Sequence, residues 1–271
     1  MSSVDPAQGP DFVQSLVRGL SVIRAFDADH PRLTLSEVAR SAGLPRAAAR
    51  RSLLTLVHLG YVGFADGLFT LRPRVLELGY SYLSTMTLPE VAEPHLERLA
   101  ADLHESSSMS VLDGDDIVYV SRVSTSRVMT ISISVGTRFP AYVTSMGRVL
   151  LAALPAPALE EYLQRVVLRQ LTARTITSRD ALREELARVR AQGWARVDQE
   201  LEEGLHALAA PVRSRDGRAV AAVNLSTHAS RSGLASVRRE LLPPLLATVA
   251  RIEADLDAYP SPRREQAVVD A

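Results

Sequence analysis

Between Leu33 and Leu71 the apolar positions change period twice, and each change marks an element. Leu35, Val38, Ala39 and Ala42 recur at i, i+3, i+4 and i+7, which is one apolar face of a short helix. Thr34 precedes it, with Glu37 three residues on. That spacing predicts a capping box, in which the threonine caps the helix and the glutamate reaches back to the capping residue's N–H. Gly43 is placed to end the helix in a left-handed conformation, and Pro45 suits the first turn of the next one. Ala49, Ser52, Leu53, Leu56 and Leu59 share the inner face of that second helix, which stops at Gly60. Residues 61–64 and 68–71 then read as two short strands, because the intervening Asp66-Gly67 favours a tight hairpin.

Helix, tight turn, helix and hairpin together predict a winged helix-turn-helix. At 3.6 residues per turn, Ala47, Ala48, Arg51 and His58 project from the outer face of the second helix, with Arg46 and Arg50 on its flank. Arginine carries a planar fork that bonds both guanine edge acceptors or holds phosphate. Small alanines beside it let a helix sit deep in the major groove. A solvated face that happens to carry arginine is the bland alternative. The capping box, turn and wing favour DNA and make Arg46, Ala47, Ala48, Arg50 and Arg51 the candidate contacts.

Upstream, Val13, Leu16, Val17, Leu20, Ile23 and Ala25-Phe26 mark a first helix expected to pack beneath this motif as the third member of its core. Residues 1–11 are polar with two prolines and read as disordered. Residues 27–32 read as a loop. Downstream, Pro73 opens a helix over 75–85 whose Leu76, Tyr80 and Leu83 stripe needs a partner, either the following domain or a second subunit. Met86 to Pro89 read as a hinge.

Beyond it the pattern alternates between periods of 2 and 3.6. A helix runs from Val91 through Leu103. Strands are predicted at 107–112, 117–123, 128–135, 194–197, 207–213 and 219–226. Further helices fall at 145–154, 159–167, 178–192 and 234–256. The Asp113-Gly114-Asp115-Asp116 turn lacks the twelve-residue spacing and closing glutamate of a calcium loop, so it reads as a hairpin. Strands at both ends with helices between imply an α+β domain built on an antiparallel sheet. The expected domains are 12–72, a linker helix at 73–87 and a second domain at 88–257, with 258–271 disordered.

Length agrees, since 271 residues exceed one domain of ~150. No apolar run approaches the ~20 residues of a membrane span, and the start lacks a signal segment. Cysteine is absent, which removes disulfides and thiolate chemistry. A cytoplasmic protein without a membrane partner is expected. The formal net charge is zero, but from Phe12 to Val75 nine arginines face four carboxylates and leave +5. A basic segment on a neutral chain is the footprint of a nucleic-acid-binding domain.

Catalytic signatures are missing. His30, His58, His95, His104, His206 and His228 are isolated, and no nucleotide-binding or nucleophile-elbow motif occurs. No metal, cofactor or catalytic residue is therefore expected. An enzyme using Ser145 and Asp198, with His206 as the only available base, is the alternative, as is a DNA-binding protein without a ligand. The loop 136–144 delivers Thr144 and Ser145 to a helix start, where free N–H groups and the dipole favour an anion, though an ordinary N-cap has the same composition.

Three segments resemble the IclR family of bacterial transcription regulators. They are Ser41-Ala42-Gly43-Leu44-Pro45 with Arg51 and the run from Leu53 to Val62, the stretch from Gly136 to Ala152, and the stretch from Asp198 to Val212. The resemblance covers residues 12–256, and the stretches from Thr144 to Ala152 and from Gly193 to Glu202 are similar to the branch that controls protocatechuate and hydroxybenzoate breakdown. It implies a winged-helix domain, a dimerising linker helix and a GAF-like effector domain, assembled as a homodimer or a dimer of dimers. The implied function is a ligand-responsive regulator that binds double-stranded DNA and an aromatic carboxylate. By resemblance the effector site takes Thr144, Ser145, Met146, Asp198, Ala207, Asn224 and Ser226. The ligand carboxylate is expected at the helix start, with ring hydroxyls on Asp198, Asn224 and Ser226 and apolar walls from Met146 and Ala207. Two positions depart from the family pattern. Ala47-Ala48-Ala49 stands where serine or threonine is common, and Leu68 stands where the wing is commonly basic.

Overall fold

A computed structural model describes residues 12–83, 87–125, 133–229 and 234–258. The chain divides into two compact units between Ser84 and Thr85. The first holds helices α1 (Gln14–Ile23), α2 (Leu35–Ser41), α3 (Arg46–His58) and α4 (Leu76–Leu83), with strands β1 (Arg32–Leu33), β2 (Val62–Ala65) and β3 (Leu68–Leu71). The capping box forms: Glu37 N–H donates to Thr34 Oγ1 at 3.4 Å and Thr34 N–H donates to Glu37 Oε2 at 2.7 Å. Gly43 takes φ +65°, which lets Leu44 N–H return to the Ala39 carbonyl at 2.9 Å before Pro45 leads into α3. Val22, Phe26, Leu33, Val38, Leu53, Leu56, Val62 and Phe69 form the core.

Three features of this unit differ from the sequence expectation. Arg32, read as the end of a loop, and Leu33 pair with Thr70 and Phe69 and add a third strand to the wing in the order β1-β3-β2. Leu59 lies outside the core at 46% exposure, because a step of three residues from Leu56 rotates it ~60° off the buried arc. The α1 stripe of Val13, Leu16, Val17 and Leu20 is likewise exposed, and the core is reached instead through Val22, Ala25 and Phe26.

The second unit is an α+β sandwich. Its strands are β4 (Ser106–Asp113), β5 (Asp116–Val123), β6 (Arg138–Pro140), β7 (Ala195–Asp198), β8 (Leu205–Arg213) and β9 (Ala219–His228). They form one antiparallel sheet in the order β6-β5-β4-β9-β8-β7. Helices α5 (Thr87–Leu103) and α9 (Leu234–Ala258) cover one face, over Met109, Leu208, Ala210, Val223 and Leu225. On the other lie α6 (Ser145–Ala153), α7 (Ala156–Arg165) and α8 (Arg179–Gln192), packed against Tyr119, Ala195, Ala209 and Ala222. The expected hinge at Thr87-Leu88-Pro89 is the first turn of α5, a position that tolerates proline; Met86 lies outside the described residues. The strand expected at 128–135 falls mostly outside them too, and Ile133 to Val135 are not extended into the ladder. The edge strand beside β5 is β6, in the stretch read as loop, where Phe139 pairs with Ile117 and meets Tyr119 edge-on at 6.0 Å.

Candidate DNA-binding and effector sites

Helix α3 begins at Arg46 and presents Arg46, Ala47, Arg50 and Arg51 to solvent. Ala48 is half-buried. It lines a groove of about 460 Å³ with Arg51, Ser52 and Thr55 of α3, Leu16, Gly19, Leu20 and Ile23 of α1, and Leu78 of α4. The five expected contacts thus divide: Arg46, Ala47 and Arg50 lie on the open side, while Ala48 and Arg51 border α1. Leu54, one turn beyond Arg50, is 46% exposed on the open side. An apolar side chain there is suited to a thymine methyl.

In the second unit, strand register brings the polar residues together. Side chains of residues directly opposed across a ladder share a face. Arg122 opposes Ser108, Ser108 opposes Asn224, and Asn224 opposes Ala209. The adjacent row runs Ser106, Ser226, Ala207 and Val197. Ala209 belongs to the core cluster that holds Met146 of α6, so both rows face α6. The Arg122 guanidinium donates to Ser108 Oγ at 3.2 Å, and Asn224 Nδ2 donates to Ser226 Oγ at 3.0 Å. Ser106 Oγ, Ser110 Oγ and Asn224 Oδ1 are buried with no hydrogen-bond partner among the described residues. Each is an uncompensated polar group in a face otherwise lined by alanine, methionine and tyrosine. Burial pulls the Arg122 guanidinium below its ordinary range. It also pushes the Tyr119 hydroxyl up to about 12, against the pull of the Arg122 charge.

Thr144 caps α6, accepting from Gly147 N–H at 3.0 Å, so one amide of this helix start is already taken. The turn is tight: a Cβ on Gly147 would stand 2.1 Å from the Ala141 carbonyl oxygen. Thr144, Ser145 and Met146 are all buried. Asp198 is placed differently. It opposes His206, one position along from the Val197 and Ala207 pair, so strand alternation assigns it to the other face. Its carboxylate meets His206 Nε2 at 2.9 Å and the Arg174 guanidinium. Burial works to raise the Asp198 carboxyl, but the Gln199 hydrogen bond and the charges of Arg174 and His206 outweigh it, holding the group below the usual carboxylate range. Six of the seven expected effector residues therefore converge on α6 and its sheet face, and Asp198 stands apart.

Behind α6 lies a buried charge cluster. Arg148, 1% exposed, donates to the Tyr142 carbonyl at 2.9 Å and to Glu200 at 2.5 Å, with Glu185 of α8 at 3.6 Å. Ile176 N–H donates to Glu200 at 3.1 Å, and Thr172 and Thr175 hold the Gln199 and Glu200 carbonyls at 2.7 Å each. This ties the loop after β7 to the base of α6. Among the described residues no group of acidic residues and histidines could hold a metal, and no helix is long and apolar enough to cross a membrane.

Family models match both units: the IclR helix-turn-helix domain over residues 15–65 and the bacterial transcriptional regulator IclR C-terminal domain over residues 80–254. The chain belongs to the IclR family. Among IclR proteins it is 45% identical to the Pca regulon regulatory protein of Pseudomonas putida, over 88% of this chain and 82% of that one. It is 35% identical to the p-hydroxybenzoate hydroxylase transcriptional activator of Acinetobacter baylyi, over 88% and 90%. The crystal structure of an IclR homologue from Microbacterium hydrocarbonoxydans complexed with 4-hydroxybenzoate superposes with a TM-score of 0.80 at 27% identity, over 91% and 100%. This IclR protein is accordingly a transcription regulator with an N-terminal helix-turn-helix. The motifs quoted for the family missed Arg122, Ser106, Ser108 and Ser110, and Leu54, though inside the quoted run from Leu53 to Val62, was not singled out as a contact. For the serines a signal was present, since Ser106-Ser107-Ser108 and Ser110 open a strand whose neighbours are buried.

Proposed function

We propose that this protein is a homo-oligomeric, cytoplasmic regulator without enzymatic activity that binds operator DNA through α3 and changes its DNA affinity on binding an aromatic carboxylate. The observation that carries the ligand reading is the set of buried, unpartnered polar atoms on the α6 face, Ser106 Oγ, Ser110 Oγ and Asn224 Oδ1. Such groups are tolerated where a ligand or water completes them. Ser145, Met146, Ala207, Asn224 and Ser226 line the proposed site, Thr144 caps the helix above it, and Asp198 lies outside it. The relatives named for the Pca regulon and for p-hydroxybenzoate hydroxylase support genes of aromatic-acid breakdown as the target. Self-association is supported by the exposed apolar stripe of α1, together with Leu76 and Leu78 of α4. Calorimetry of the full-length protein with 4-hydroxybenzoate, protocatechuate and succinate tests the ligand class. Saturable binding of either aromatic acid is expected, and binding of succinate alone would remove the aromatic assignment.

A further inference from the structure

We propose that Arg122 holds the effector's carboxylate and that Asn224 accepts a hydrogen bond from a hydroxyl at the ligand's far end; this rests on the aromatic-acid reading above. The helix start of α6, the place the sequence alone suggests for an anion, already spends the Gly147 amide on its own Thr144 cap. Arg122 is half-buried near the C-terminal end of β5, and among the described residues it makes no ion pair. Its hydrogen-bond partner among the described residues is the neutral Ser108 hydroxyl. A cation withdrawn from water without an anion is unfavourable, and a carboxylate matches the guanidinium fork in two parallel hydrogen bonds.

The other half of the match lies along the same row. Arg122, Ser108 and Asn224 sit in register on three adjacent strands, so the cation and the amide are rooted two interstrand spacings, about 10 Å, apart. Asn224 Nδ2 is committed to Ser226, and its Oδ1 is a buried acceptor that lacks a donor. Anion-binding donor at one end and empty acceptor at the other is complementary to a flat acid bearing a hydroxyl opposite its carboxylate. Met146 and Tyr119, both in the core cluster on this face, provide the walls between.

The test compares 4-hydroxybenzoate with its neutral analogue 4-hydroxybenzamide by calorimetry on the full-length wild type, Arg122→Met and Arg122→Lys. In the wild type the acid should bind at least tenfold more tightly than the amide. In Arg122→Met that preference should vanish, through loss of acid binding with the amide little changed. Arg122→Lys, which keeps the charge and loses the fork, should retain part of it. Because the readout is a ratio within each protein, a general loss of fold lowers both ligands and does not imitate the result. An undiminished preference for the acid in both variants overturns the Arg122 assignment while leaving the aromatic-acid reading intact. A wild type that binds neither 4-hydroxybenzoate nor protocatechuate overturns that reading itself.

Discussion

Arg148 shows how much depends on single buried groups in this protein. It is enclosed with Glu200 and Glu185, and removing it leaves the buried Glu200 carboxylate without its cation, while Glu185 keeps only Arg188. Arg148→Ala should cost about 3–5 kcal/mol, as breaking a buried pair does, read as a lowered urea midpoint at unchanged slope. Gly147 is constrained by space instead. With Ala141 O at 2.1 Å from any added Cβ, Gly147→Ala should destabilise by ~1–3 kcal/mol in the same assay, whereas Gly193, with nothing near, carries no such clash. The family-like stretch from Gly136 to Ala152 contains both residues, but their physical roles came only with the packing. Arg122 had no such flag. A lone arginine in a strand adds nothing to a hydrophobic period, and its relation to Asn224 depends on cross-strand register with a segment over a hundred residues away.

At the level of elements, the helix-turn-helix was legible because its signals are local: a capping box, a glycine at φ +65° and a proline follow one another within twelve residues. Two short edge strands were not. β1 and β6 hold two and three residues, too few to show alternation, and they exist because β3 and β5 offer unpaired edges. The apolar stripe of α1 was read as core from its period, which reports that a face is apolar and says nothing about what covers it. For α3, its three solvent-exposed arginines carry the prediction. Replacing Arg46, Arg50 and Arg51 together with alanine should abolish specific operator binding in a fluorescence anisotropy titration. Replacing Arg46 alone, as a phosphate contact, should weaken all sequences alike and reduce the salt slope by about one. Unchanged operator affinity in the triple variant would remove this helix from the interface.

For the whole molecule, a single winged unit reaches few bases, so two copies on a repeated or pseudo-palindromic site are expected. Sedimentation should give at least a dimer at micromolar concentration; a monomer with full DNA affinity would contradict it. Two units in one chain become a regulator only if ligand free energy in the second alters DNA binding by the first, a coupling of ~1–3 kcal/mol in comparable systems. The buried Arg148 cluster joins α6 to the loop after β7. The central claim is this coupling, and one titration tests it most directly. Operator fragments selected with the purified protein are labelled, and their dissociation constants are measured with and without saturating 4-hydroxybenzoate or protocatechuate at fixed salt. The account predicts a shift of at least fivefold with one of the acids and none with succinate, and superimposable curves under all four conditions would contradict it.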